Sequence, residues 1–159
     1  MAIITLNNNS LSNISSLPAG VGGKVLQVQA NDNSSLSQVS SNTNSLVDVS
    51  GMDVTLTPSS TSSKIIIWVS ANMGSGNNTH QFAISLSSII GGTQTTIDSQ
   101  YETLATKNDT SWITNIYKHS PSTTSEITYR LQFRSFSSNI VYFNRRSLRI
   151  VAEEYSSWL

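Results

Sequence analysis

Ile127-Thr128-Tyr129-Arg130-Leu131-Gln132-Phe133-Arg134 alternates apolar and polar side chains for eight residues without a break. Successive side chains of an extended chain point to opposite faces. Ile127, Tyr129, Leu131 and Phe133 therefore share one face, and Thr128, Arg130, Gln132 and Arg134 share the other. One face is suited to burial and the other to water. A helix would scatter the same residues around its axis, so this stretch reads as a half-buried strand.

The same signal recurs on both sides. Downstream lie Ile140-Val141-Tyr142-Phe143 and Leu148-Arg149-Ile150-Val151-Ala152. Upstream, Trp112 to Tyr117 is a strand candidate. Phe82, Ile84 and Leu86 alternate with Gln81, Ala83 and Ser85, ahead of a turn at Gly91-Gly92. Thr95-Thr96-Ile97 reads as a short edge strand. Lys64-Ile65-Ile66-Ile67-Trp68-Val69 is a continuous apolar block, as expected of a strand buried on both faces. Val25 to Gln29, Leu46 to Val49 and Val54 to Thr57 complete a series of eight to ten strands, with Asn31-Asp32-Asn33 read as a polar loop. No helical pattern competes. Short strands with turn-rich connections indicate an all-β antiparallel sandwich or barrel.

Composition agrees. Ser, Thr and Asn supply 62 of 159 residues, while charged residues are 11% and the net charge is zero. Hydroxyls and amides must keep this surface wet, and they suit strands and turns better than helices. Disordered chains combine low hydrophobicity with high net charge, which is not the case here. The length suits one domain with a real core. Residues 1–23 read as an N-terminal arm and Gly/Pro-rich hinge, 24–154 as the β-sandwich, and 155–159 as a C-terminal tail. The start lacks the basic and long apolar regions of a signal peptide. No apolar run reaches the roughly 20 residues of a membrane span.

Most catalytic chemistries lack their residues. Without cysteine, disulfides and thiolate chemistry are excluded. His80 and His119 sit at strand ends and offer too few ligands for zinc. No Gly-x-Ser-x-Gly elbow occurs. Asp98, Glu102 and Asp109 fall in one region and could form a hydrolytic carboxylate pair, but an ordinary polar surface explains them as well. Asn31-Asp32-Asn33 lacks the spacing of a calcium loop. Basic residues are balanced by acidic ones, and the small cluster Arg145, Arg146 and Arg149 is no phosphate-binding footprint. The expectation is a non-enzymatic protein without metal or cofactor, binding neither nucleic acid nor membrane.

Three segments carry a family resemblance: Leu17-Pro18-Ala19-Gly20-Val21-Gly22-Gly23-Lys24-Val25-Leu26-Gln27-Val28, Val54 through Ile66, and Ser147 through Glu154. Together they resemble small virion proteins and fibre-tip domains of tailed phages, marine cyanophages especially. The resemblance implies a jelly-roll sandwich, a homotrimer similar to C1q/TNF heads, and a place on the capsid or a tail appendage after assembly in the bacterial cytoplasm. The chain departs from the pattern in adding Tyr155-Ser156-Ser157-Trp158-Leu159 and in its short arm. Its size therefore fits a decoration, knob or adaptor subunit better than a long fibre.

Interface candidates follow. The arm offers Ile3, Leu6, Leu11 and Ile14, and the tail offers Tyr155, Trp158 and Leu159. Aromatic candidates for a subunit contact are Trp68, Trp112, Tyr117, Tyr129, Phe133, Tyr142 and Phe143. Of these, Tyr117 and Tyr142 are expected to face away from the core. A host glycan is the alternative partner, with Trp112 beside Asn108 and Asp109 as the contact.

Overall fold

The computed structural model describes residues 25–33, 39–75, 80–98, 102–105, 110–136, 140–143 and 148–156. Every regular element among them is a strand: β1 Val25–Asn33, β2 Val39–Ser41, β3 Val47–Asp48, β4 Val54–Leu56, β5 Lys64–Ser75, β6 His80–Ile90, β7 Thr93–Asp98, β8 Glu102–Ala105, β9 Thr110–His119, β10 Ile127–Ser135, β11 Val141–Phe143 and β12 Leu148–Tyr155. The arm lies outside the described residues, as do the last three residues of the tail. Tyr155, expected to open the tail, is the final residue of β12.

These twelve segments fill eight strand positions. β3 and β4 lie end to end along one edge of β10, and β7 and β8 lie end to end along one edge of β6. β11 and β12 share one edge of β5, with β2 and β1 outside them. The first sheet therefore runs β1/β2, β11/β12, β5, β9, and the second runs β3/β4, β10, β6, β7/β8. All pairings are antiparallel. Numbered by position, the orders are 1-8-3-6 and 2-7-4-5, the strand order of a jelly roll. Gly91 and Gly92 close the β6–β7 hairpin with φ of 56° and 82°. A two-residue hairpin loop with positive φ at both positions favours glycine.

The core lies between the sheets. The inward phase of β10 holds as read: Ile127, Tyr129, Leu131 and Phe133 are fully buried, with Leu86 and Ile84 of β6 opposite the last two. In the other phase Gln132 is buried as well, where Ser87 donates to its amide oxygen and its amide nitrogen donates to Asp48. Ile65, Ile67 and Val69 of β5 and Ile150 and Ala152 of β12 meet them from the other sheet.

Three local expectations are corrected. Over Lys64 to Ser70, β5 is buried on one face only, with Ile66 half-buried and Trp68 exposed, and both phases are buried only from Ala71 onward. Asn31 and Asp32 belong to β1 rather than a loop, because Asp32 pairs with Arg149 and the Asn31 amide donates to the carbonyls of Gly51 and Asp53. β5 also runs past the Val69 at which the apolar block ends, to Ser75, because β11 pairs with Gly74 and Ser75.

Candidate functional site

The outward face of the first sheet is where this chain departs from an ordinary soluble sandwich. Cross-strand register builds it in rows. Val28, Glu153, Ile66 and Lys118 form one row, and Ala30, Val151, Trp68 and Ile116 the next. Then come Asp32, Arg149, Ser70 and Thr114, and finally Asn72 beside Trp112. Four large apolar members are exposed: Val28 52%, Trp68 39%, Trp112 56% and Ile116 59%. Val28, Trp68 and Ile116 cluster with Ala30, Ile66 and Val151 in adjacent rows, while Trp112 lies beyond the polar row of Ser70 and Thr114. Single exposed apolar residues are common, and a cluster is the more informative feature.

The patch has a polar rim that fixes some of its side chains. Glu153 accepts hydrogen bonds from the indole N–H of Trp68 (3.3 Å) and the hydroxyl of Tyr155 (2.6 Å). The Tyr155 hydroxyl is held above its ordinary pKa, first by that bond to Glu153. Arg149 and Asp32 close the β1 side as an exposed ion pair.

This face gathers four of the aromatic interface candidates, Trp68 among them. Trp112 stands on β9, Tyr155 on β12, and Tyr142 on β11 opposite Gly74, in phase with Trp68 along β5. Tyr117 is corrected: it is 3% exposed within the core cluster, so it belongs to the inside of the sandwich and not to an outward face. Tyr129 and Phe133 are core as well. Ile3, Leu6, Leu11, Ile14, Trp158 and Leu159 lie outside the described residues. So do Asn108 and Asp109, leaving Trp112 as the described part of the glycan contact.

Sequence reasoning missed Ile116, Val28 and Asn72. Asn72 shares the outward phase of β5 yet is fully buried, and neither of its amide atoms has a partner among the described residues. It also missed Glu154, a fully buried carboxylate at the end of β12. Its Oε1 accepts from the Ser59 N–H (2.7 Å), the Ser59 hydroxyl (2.7 Å) and the Ser63 hydroxyl (2.6 Å), and the Gln27 amide donates to Oε2. Burial pushes the carboxyl up, but these donors together outweigh it and the net shift is downward. Glu154 ties β12 to β1 and to the turn after β4.

Other titratable groups among the described residues are held within the fold. His119 shares a 2.9 Å hydrogen bond with the Tyr129 hydroxyl and is held below its ordinary pKa by burial. Arg130 of β10 bridges Asp48 of β3 and Asp53, just before β4, on the neighbouring edge. Asp98 and Glu102 follow one another at the end of β7 and the start of β8, opposite Leu86 and Ala83 of β6. Among the described residues no three His, Asp or Glu side chains converge as a metal site requires.

No family model matches the chain, and no curated protein matches it. Among solved structures it is similar to the subunit of T=1 particles derived from infectious bursal disease virus, with 10% identity and a TM-score of 0.48. That match covers 84% of this chain and 37% of the other. The chain thus spans under half the length of the viral protein. It is also similar to a xylan-binding domain from Paenibacillus barcinonensis, at 10% identity and a TM-score of 0.39, covering 86% of this chain and 97% of that one. These values are too low to carry a function across. The class of protein rests on its own strand order: a jelly-roll sandwich with an aromatic outer face.

Proposed function

We propose that this chain is a structural subunit of a virus particle that works by associating with copies of itself, with the outer face of the first sheet as a contact surface. The observation that carries the reading is the row of Ala30, Val151, Trp68 and Ile116, with Trp112 two rows away, on a chain rich in hydroxyls and amides and poor in charge. Burying such a patch is favourable by about 25 cal/mol per Å². A tailed-phage particle, a trimeric subunit and a capsid-decoration or tail-associated position are the finer parts of this proposal. They rest on the sequence resemblance.

The test is to locate the subunit in an electron-microscopy map of intact particles. Density for this sandwich on the capsid or a tail appendage, with the Trp68 face against a neighbour, supports the reading. Absence of the chain from purified particles overturns it.

A second reading is favoured by Trp112. An indole this exposed can stack on a sugar ring, so the same face fits a knob that binds host carbohydrate. Glycan-array binding that is lost in Trp112→Ala would favour it over assembly. Neither reading gives the chain a catalytic role. Turnover of a cell-surface polysaccharide, abolished by Glu102→Gln or Asp98→Asn, would contradict both.

A further inference from the structure

Sheet edges expose unpaired N–H and C=O groups, and folded chains blunt them with bulges, prolines, charges or short strands. Most edges of this sandwich are blunted in that way. β1 is bulged between Val25 and Gln27, and β7 shifts register beside Leu86. β2, β3 and β4 are two or three residues long, and β8 is four. β9 is the exception. Its ten residues pair with β5 in unbroken register from His119 opposite Ile65 to Thr110 opposite Gly74. It holds no proline, and its one Lys or Arg, Lys118, is next to its end. Among the described residues nothing pairs with its other edge.

The sequence of β9 also complements itself. Its outward phase, from Trp112 on, reads Trp112, Thr114, Ile116, Lys118. Run antiparallel against a second copy with Thr114 opposite Thr114, it sets Trp112 against Ile116 twice, once on each side of the centre. Aromatic with β-branched is a favourable cross-strand pair. Each Lys118 then faces a Thr110, so no like charges meet. Registers moved by two residues in either direction lose both Trp–Ile pairs.

We infer that β9 is a two-fold edge at which two copies of this chain pair antiparallel about Thr114, joining their first sheets into one continuous sheet. This rests on the assembly reading above and names its partner and register. The contact is isologous, so alone it gives a dimer. Combined with a three-fold contact it links trimers into a closed assembly.

The absence of cysteine makes the register measurable. Directly opposed residues of an antiparallel pair lie at Cα distances that a disulfide can span. Thr114→Cys in the full chain should form a covalent dimer under a mild oxidant, roughly tenfold faster than Thr96→Cys, an exposed control on β7. Trp112→Cys and Ile116→Cys should each stay largely uncross-linked alone and cross-link when mixed. Thr114→Lys, which changes an exposed side chain and opposes two charges at the axis, should weaken association while leaving the circular dichroism spectrum unchanged. Cross-linking of Thr114→Cys no faster than the control, in protein that sediments as an oligomer, overturns the β9 contact alone. Protein that stays monomeric at every concentration overturns both this contact and the assembly reading. Faster cross-linking of Trp112→Cys with itself overturns the register.

Discussion

Glu154 and Asn72 are both polar, both buried, and opposite in consequence. Glu154 is fully partnered, and removing its charge strands several donors. Hydrogen bonds to a charged group contribute roughly 1.5–3 kcal/mol, so Glu154→Gln should cost about 2 kcal/mol in a urea melt. The pH dependence has a definite sign. The Glu154 carboxyl is depressed in the folded state, so its contribution is present above the unfolded carboxylate pKa and lost as pH falls through the folded one. His119 adds to this. Its folded pKa is lowered, so below about 6.5 the unfolded chain takes a proton that the folded chain resists. Stability should therefore fall in two stages as pH drops, the His119 stage first. Glu154→Gln should flatten the lower stage, and an unchanged acid limb in that variant would refute the assignment. Asn72 works the other way. Its amide has lost water and gained no partner among the described residues, so Asn72→Val should raise stability by about 1–2 kcal/mol. A destabilised variant would show that the amide is held by something else. Neither residue was legible in the sequence. Glu154 ends an apolar run as any surface glutamate might, and its partners Ser59, Ser63 and Gln27 are distant in the chain.

At the scale of strands, legibility followed the clarity of the alternation. β10 was readable because all its large apolar residues lie in one phase. β9 was found as a strand but its faces were not legible, because apolar residues occupy both phases: Ile113 and Tyr117 in one, Trp112 and Ile116 in the other. The sandwich buries Tyr117, and Trp112 and Ile116 take the outside. β5 misled for a related reason. An unbroken run of Ile65, Ile66, Ile67, Trp68 and Val69 is the pattern of a doubly covered strand, but this sheet is covered on one side. β2 and β8 escaped notice because each carries a single large apolar residue, Val39 and Leu104, among small or polar ones. A pair of variants tests the assignment of faces in β5. Ile67→Ala should cost about 2–5 kcal/mol, as expected for an aliphatic core truncation. Trp68→Ser, its immediate neighbour, should cost clearly less and keep the fold. Equal losses in denaturant melts would mean that both faces of β5 are covered within the monomer.

For the whole molecule, the sandwich class could be read from the strand pattern, because two-residue periodicity and low charge leave few alternatives. The sheet order could not, because which strands pair is a matter of long-range register. The surface chemistry has its own consequence. Exposed ion pairs are screened by salt, whereas apolar contacts are not. Self-association should therefore change little between dilute buffer and about 0.5 M salt. A steep loss of oligomer over that range would point instead to the Arg149–Asp32 rim as the source of affinity.

The central claim is that the outer face of the first sheet is a surface for copies of the same chain. Sedimentation of the full chain at rising concentration, beside a Trp68→Ser/Ile116→Ser variant of unchanged fold, tests it most directly. The account predicts a concentration-dependent multiple of the monomer mass for the native chain and monomer for the variant. A native chain that stays monomeric throughout, or a variant that associates equally well, would contradict it.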